Sequence, residues 1–442
     1  MPNIRISEQE SSSIRAFDVT ENTVLVPILY ARTLVNSGGT RVYNEPANVP
    51  AKLFTSAAAY ATAFDSHVCY TAYDLDKNVL TKDKTNAFIY DLLLAGLNVV
   101  VKPITFDNAA DAYHPESALD VNINIVTEEA ILDFLENAFA EGALEEFKDR
   151  NLFNIKFITS GAYPNKGKRS SDEDAKVLTM DKIMVEVAEE RGDAIALVEL
   201  RESFTDKEEL LSELSEMSAD TAYMFAAGFF PWCTMTTNAG NVTMPACFAY
   251  LKAYASSIKQ NANWFAASGV SRGQIPDLVN PTFDVGESLM HILQGDVAYN
   301  NSKYLDIRIN PIYNAGTYGY RIWGNRTAWG SSSSNELRYQ EFLNVRVLLC
   351  DIKKQTFHAA MRTTFEPNDD IVWINFKGLV NSLLERMVSG RGLQFYRWTK
   401  EKADDKATIK ATLTIKPIEA VESFDINVVL TEDEATLTEA VV

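Results

Sequence analysis

The segment that comes closest to a catalytic or ligand-binding motif is Gly161–Arg169, which reads GAYPNKGKR and follows a predicted strand. A phosphate-binding loop has four residues between its glycines, so that backbone amides surround the phosphates, and Ser or Thr after its lysine. Here five residues separate the two glycines, and Arg169 follows the lysine. The segment therefore predicts a surface loop, and nucleotide binding is the weaker alternative.

Other residue types that perform catalysis form no recognisable group in this sequence. None of the four histidines lies beside a nucleophile or in a metal-ligand pattern, and the four cysteines contain no CxxC pair. Acidic pairs such as Asp369-Asp370 predict helix caps rather than a glycosidase acid pair. We therefore predict no enzyme, no catalytic residue, no metal and no cofactor. An α/β hydrolase or nucleotide-binding enzyme is the alternative from another functional class.

The composition is that of a globular protein with an acidic surface. Its 442 residues are 46% hydrophobic, enough for at least one sizeable core in two or three domains. The formal net charge of −19 argues against a nucleic-acid partner, because phosphate binding needs a basic surface. The sequence contains no long uncharged apolar stretch and begins with polar residues, so we predict neither membrane insertion nor secretion.

The charge is unevenly distributed along the chain. Residues 334–400 contain ten Lys or Arg and seven Asp or Glu, so this segment is +3 and the remainder is −22. A basic region on an acidic protein suits an acidic partner, although a solvated helix face is the simpler alternative.

Alternating strand and helix patterns indicate an α/β fold. The predicted strands are Thr23–Ile28, Leu97–Ile104, Asn154–Thr159, Ala194–Leu200 and Ala222–Phe230. Helical spacing lies between them, at Asn86–Leu97, Glu128–Phe147 and Met180–Arg191. This alternation predicts parallel strands with crossover helices, hence a doubly wound, mostly parallel sheet body over residues 23–303.

The last third of the chain predicts an α+β domain over residues 304–422. One helix follows Asn335 as its cap and reaches about Thr364, and a second spans Asp370–Val388 and ends at Gly390. Residues 1–22 and 423–442 read as extended arms, because short runs of alternating apolar and polar residues predict exposed strands there.

Several segments, in their order along the chain, resemble the contractile phage tail sheath protein family. FAAGFFPW at Phe225–Trp232 comes first, and NWFAASGVSRGQI follows around Trp264. The most specific segment is YRIWGNRTAW at Tyr320–Trp329, which contains a Trp-Gly-x-Arg-Thr pattern and leads into LRYQEFLNVRVLLCDIKK. The ordered set, rather than any one segment, carries the resemblance.

The resemblance implies a structural subunit that polymerises helically around a tail tube and contracts to drive the tube through the target cell envelope. The expected partners are other copies of itself in hexameric rings, the tail tube protein, and the baseplate and tail terminator proteins. The expected location is the tail sheath of a virion assembled in the host bacterial cytoplasm. The same segments fit the sheath of a genome-free phage-like injection particle or secretion machine.

The resemblance also assigns two kinds of contact to residues of this chain. Sheath arms add strands to neighbouring subunits. The candidate arm residues are Ile4, Ile6, Phe424, Ile426, Val428 and Leu430. The C-terminal domain would face the tube, and positive charge makes Arg346, Lys353, Lys354 and Arg362 the candidates for contacting it.

Overall fold

The structure is a computed structural model of the chain. It describes residues 21–31, 48–64, 84–106, 128–163, 179–198, 200–202, 221–295, 307–330, 339–402 and 408–418. Shorter described pieces are 34–37, 40–43, 72–73, 79–81, 207, 210–211, 420, 426–427 and 440–441.

A mostly parallel eight-stranded sheet forms the centre of the described chain. Its strands in spatial order are β15 (Tyr320–Ile322), β14 (Ile309–Asn314), β10 (Ala226–Phe230), β9 (Ile195–Val198), β8 (Phe157–Thr159), β1 (Thr23–Ala31), β7 (Asn98–Phe106) and β4 (Lys52–Phe54). The strands from β14 to β7 are parallel, and the edge strands β15 and β4 are antiparallel to their neighbours. Residues 24–29 of β1 are all buried, which explains their nearly continuous apolar sequence.

Helices cover both faces of this sheet. Val24 and Val26 share one apolar core with α1 (Ala57–Phe64), α2 (Lys84–Ala95) and α5 (Ala246–Ile258). The alternate residues Leu25 and Leu29 share a second core with α3 (Glu128–Ala140) and α4 (Thr179–Arg191). The predicted mixed α/β class with a largely parallel sheet is confirmed.

Smaller elements surround the central sheet. Two short helices are α6 (Gly269–Arg272) and α7 (Glu287–Leu293), and 3-10 turns lie at Glu145–Lys148, Thr221–Phe225, Gly316–Tyr318 and Tyr339–Glu341. An antiparallel sheet contains β11 (Cys233–Thr237), β12 (Gly240–Met244) and β13 (Leu278–Pro281). Three antiparallel pairs are β2 (Leu34–Ser37) with β3 (Thr40–Tyr43), β5 (Ala72–Tyr73) with β6 (Val79–Thr81), and β18 (Ile426–Asn427) with β19 (Ala440–Val441).

The C-terminal part consists of two long helices and a hairpin. They are α8 (Leu343–Thr363), α9 (Asp370–Ser389) and the pair β16 (Leu393–Glu401) and β17 (Lys410–Pro417). The Asp369 side chain accepts hydrogen bonds from the first amides of α9, as predicted for this acidic pair. After α9, a Cβ atom on Gly390 would lie 2.7 Å from the Trp264 ring, so glycine allows the close approach. Asn335 lies outside the described residues, and α8 begins later than predicted.

The central sheet contains strands from both sides of residue 303, where the sequence predicts a domain boundary. Both β14 and β15 follow residue 303, yet they are two of its strands. Leu343, Val347 and Cys350 of α8 pack in the same core as β1, whereas Leu348 and Ile352 pack against α9. The change from one core to the other therefore occurs along α8.

Candidate functional site

The segment Trp323–Thr327 connects the central sheet to α8 and contains the most specific sequence pattern. The side-chain amide of Asn310, on β14, donates hydrogen bonds from Nδ2 to the carbonyls of Gly228 and Arg326 at 3.0 and 2.8 Å. The backbone amide of Arg326 donates to Asn310 Oδ1 at 2.6 Å. A Cβ atom on Gly324 would lie 2.6 Å from Asn310 Oδ1, so the pattern requires glycine there.

The same segment holds the first turn of α8. Asn325 Nδ2 donates to Asn344 Oδ1 at 2.7 Å, and the Asn344 amide donates to Asn325 Oδ1 at 3.1 Å. The Leu343 amide donates to the Asn325 carbonyl at 2.9 Å. These contacts satisfy helix-start donors that have no partner within the helix. We call Trp323–Thr327 with Asn310 and Asn344 the α8 joint.

A group of buried charges ties α8 to the beginning of β8. Lys156 Nζ lies 2.8 Å from Asp351 Oδ1, and both side chains are 0% exposed. Lys156 also donates to Asn22 Oδ1 at 2.9 Å, and Asn263 Nδ2 donates to Asp351 Oδ2 at 2.6 Å. One turn along α8, Lys354 Nζ donates to the Ile155 carbonyl at 2.6 Å. We call Lys156, Asp351 and Lys354 the buried charge cluster.

Burial, followed by the nearby charge of Lys156, lowers the pKa of Lys354 from 10.5 to about 8. Below pH 8, Lys354 is charged in both the folded and unfolded chain, and burial of the charge opposes folding. As the pH rises from about 8 to 10, the folded chain loses this proton before the unfolded chain does, so Lys354 makes stability increase with pH. In the wild type the urea unfolding midpoint should therefore include an increase between about pH 8 and 10 that comes from Lys354, and we expect the Lys354→Met variant to lack that increase. Identical pH profiles for the two proteins would contradict the prediction.

The four basic residues expected at the tube have different environments. Arg346 is 4% exposed, and its guanidinium lies 4.5 Å from the centre of the Phe225 ring. Lys354 is 2% exposed within the buried charge cluster. Lys353 is exposed, although its ammonium lies 5.3 Å from the Phe225 ring, and Arg362 is exposed near the end of α8. The burial of Arg346 and Lys354 within this chain argues against direct contact with another protein.

No sequence pattern indicates the two buried ionic contacts. Lys156 and Asp351 are far apart in the chain, and no local pattern connects them. Arg191 is fully buried, and its guanidinium donates to the Asp193 carboxylate and to the carbonyl of Phe147. An Arg two residues before an Asp is too common to predict such a contact. Only the folded chain brings these groups together.

The crevice beside the carboxyl ends of β1 and β8 is where open α/β sheets commonly bind ligands. Here the Tyr163 hydroxyl accepts a hydrogen bond from the Leu29 amide at 2.7 Å, and Thr85 Oγ1 accepts one from the Ala162 amide at 3.2 Å. A Cβ atom on Gly161 would lie 3.1 Å from the Thr85 side chain. Residues 161–163 therefore pack against the body, while residues 164–169 of the predicted loop lie outside the described residues.

The β16–β17 hairpin differs from the central sheet in its edges. On the central sheet, β15 is covered by contacts of Ile322 with Gly273 and of Arg321 with Gln274. At the other edge, β4 is only three residues long and presents the exposed Lys52. In contrast, the hairpin strands have nine and eight residues, and each pairs only with the other among the described strands. Long edges of this kind accept an added strand.

Comparison with known proteins identifies the fold. No protein-family model and no curated protein sequence matches the chain. A chain of the PVC sheath complex, from an extracellular contractile injection system in the contracted state, is 14% identical with a TM-score of 0.60, and the match covers 98% of both chains. The chain has a contractile-sheath fold. A chain of the anti-feeding prophage baseplate in the contracted state is also 14% identical, with 99% of both chains covered and a TM-score of 0.60.

A second structure of the anti-feeding prophage baseplate, 6-fold symmetrised, gives the same identity of 14% and a TM-score of 0.57. That match covers 98% of this chain and 99% of the other. The sheath fold thus extends over nearly the whole sequence and includes the α8 joint. At this level of identity the likeness establishes the fold.

One of the six predicted arm residues is among the described residues. Ile4, Ile6, Phe424, Val428 and Leu430 lie outside the described residues. Ile426 belongs to β18, which pairs antiparallel with β19 of the same chain. Over the described part of the chain, no helix combines the length and apolar character needed to cross a bilayer. The same residues contain no group of three potential metal-binding side chains.

Proposed function

We propose that this chain is a structural subunit of a contractile sheath. It polymerises helically around a tube and contracts to drive the tube through a target cell envelope. The observation that carries the proposal is the match to the PVC sheath complex over 98% of both chains. The packing at residues 161–163 supports a non-enzymatic role over a nucleotide-binding one, because the Ala162 and Leu29 amides already donate to protein side chains.

Contraction in this proposal is a rearrangement of whole subunits. The doubly wound body and the start of α8 move together, because the α8 joint and the buried charge cluster connect them through buried polar contacts. The C-terminal domain contains the rest of α8, α9 and the hairpin, and it faces the tube. The driving free energy comes from contacts between subunits, so no cofactor takes part.

Strand exchange links neighbouring subunits in this proposal. The arms at residues 1–22 and 423–442 of two neighbours add to the two outer edges of the β16–β17 hairpin. The hairpin is suited to this because both of its strands are long and neither pairs with a second strand among the described residues. Each subunit would then be connected to others in its hexameric ring and in the adjacent ring.

Contact with the tube protein is assigned to the exposed members of the basic set, Lys353 and Arg362. Their charges suit an acidic surface on the tube. Co-sedimentation of the sheath with its tube measures this contact, and unchanged attachment of an Arg362→Glu variant would count against it. Baseplate and tail terminator proteins are the other proposed partners, located at the two ends of the sheath.

A virion tail assembled in the host bacterial cytoplasm is the first proposed location. The second candidate is the sheath of a phage-like injection particle. It is favoured by the likeness to an extracellular contractile injection system and to the anti-feeding prophage. Capsid and terminase genes beside the coding sequence would indicate a virion, and their absence from a complete gene cluster would indicate an injection particle.

Negative-stain microscopy of the purified full chain tests the proposed function. Long hollow tubes of uniform width are expected as the protein concentration rises, because helical polymerisation is concentration-dependent. Particles that remain monodisperse at every concentration, with or without the tube protein, would contradict the sheath role. Nucleotide binding by such particles would instead support the enzyme alternative.

A further inference from the structure

The hairpin has a solvent-facing side that is separate from its two edges. Tyr396, Trp398, Leu413 and Ile415 pack towards α9. Because side chains alternate along a strand, the residues next to these in each strand point to the opposite side. Phe395 lies opposite Lys416, and Arg397 lies opposite Thr414. We call these four outward residues the basic hairpin face.

The basic hairpin face is exposed, and its charges form no ion pair within the described part of the chain. Phe395 is 48% exposed, and Arg397, Thr414 and Lys416 are also exposed. Among the described residues, no carboxylate forms an ion pair with Arg397 or Lys416. The nearby Glu401 is instead paired with Lys410 at 3.5 Å and also accepts a hydrogen bond from Thr412. An exposed aromatic ring between two cations suits a partner surface that is acidic.

The helices α3 and α4, which cover one face of the central sheet, present an acidic surface. Glu186, Glu189 and Glu190 are exposed on α4, and Glu186 precedes the other two by three and four residues, which places it beside both on one side of the helix. Glu141 and Glu145 are exposed in the turn after α3, next to α4. Lys148 bridges Glu145 and Glu190 at 2.8 and 3.0 Å, which links the two groups. We call these five glutamates the acidic α4 face.

We propose that the basic hairpin face of one copy docks on the acidic α4 face of a second copy. Both faces are exposed within a single chain, so they do not neutralise one another there. Opposite charges on the two faces match, and Phe395 supplies apolar area at the centre of the contact. The inference rests on the proposed sheath function and names one contact by which the sheath is built.

The geometry of this contact agrees with helical growth. The two faces belong to different parts of the chain, so the contact is head-to-tail rather than two-fold symmetric. Head-to-tail contacts leave one free face of each kind at every step, and they continue into rings or open helices. The contact is also expected to weaken at high ionic strength, because salt screens charges exposed at its rim.

Charge-swap variants test the contact. Arg397→Glu/Lys416→Glu reverses the basic hairpin face, and Glu186→Lys/Glu189→Lys reverses the acidic α4 face. Each double variant alone is expected to need at least about tenfold more protein to assemble, because like charges then oppose each other. In an equimolar mixture each reversed face meets a face of opposite charge, so assembly should return towards the wild-type concentration. Sedimentation and negative-stain microscopy measure both quantities.

A matched control separates this contact from a general effect of charge. Lys52→Glu/Lys259→Glu changes the net charge by the same amount as Arg397→Glu/Lys416→Glu, at exposed positions on β4 and just after α5, and should assemble like the wild type. Assembly of Arg397→Glu/Lys416→Glu at the wild-type concentration, or absence of rescue in the mixture, would overturn the contact and leave the sheath role standing. Failure of the wild type to assemble would overturn the proposed function and this contact together.

Discussion

The Asp351→Asn variant is expected to lose about 3–5 kcal/mol of folding free energy, because it leaves a buried cation without its counter-charge. Lys156 is 0% exposed and lies 2.8 Å from Asp351 Oδ1, so water cannot replace the missing carboxylate. The substitution keeps the side-chain shape, and the loss therefore reports the charge. A shift of the urea unfolding midpoint to lower concentration measures it.

Two controls separate the buried pair from a general effect of removing acidic groups. The double variant Lys156→Met/Asp351→Leu removes both charges. It should lose much less folding free energy than the single variant, because a buried ion pair contributes little net stability. Asp370→Asn removes the partner of Lys400 at an exposed pair and should cost less than about 1 kcal/mol. A single variant no less stable than Asp370→Asn would contradict the buried charge cluster as described.

Local sequence patterns predicted the central strands and the long C-terminal helices. The predicted strand Thr23–Ile28 lies within β1, and the predicted helix Asp370–Val388 ends one residue before α9 does. These elements have strong local signals, namely a continuous apolar run in the first and an Asp cap with terminal glycines in the second. The membership of β14 in the central sheet was not predicted, because its pairing with β10 is long-range and no local pattern specifies it.

The orientation of α8 explains why two basic residues were placed on the tube side. Hydrophobic periodicity predicts one apolar face for a helix and leaves its charged residues to a solvated opposite face. The structure packs α8 on two sides, with Leu348 and Ile352 against α9 and Val347 and Cys350 against the body. Lys354 lies on the body side, where the Ile155 carbonyl is its hydrogen-bond partner. A helix face that buries charged residues has the same sequence pattern as a helix face that exposes them, so the sequence does not distinguish the two.

Removal of either arm is expected to abolish tube formation without unfolding the subunit. The buried residues of the three apolar cores range from Val24 to Leu393, so chains lacking residues 1–20 or 424–442 keep all of them. What such chains lose in the proposed mechanism is the strand that joins the outer edge of a neighbour's hairpin. The expected result is a folded monomer by size-exclusion chromatography and thermal unfolding, with no tubes by negative stain at concentrations where the full chain assembles.

The two truncations together also distinguish strand exchange from contact between faces. A chain that lacks one arm still has the hairpin edges and the basic hairpin face, so it should attach to the end of a full-length tube through the arms of that tube. It should then stop or slow further growth, and substoichiometric amounts should shorten the tubes. Tubes of normal length from a truncated chain alone would exclude a linking role for that arm. Unchanged lengths in the mixture would instead mean that the hairpin edges do not receive arms.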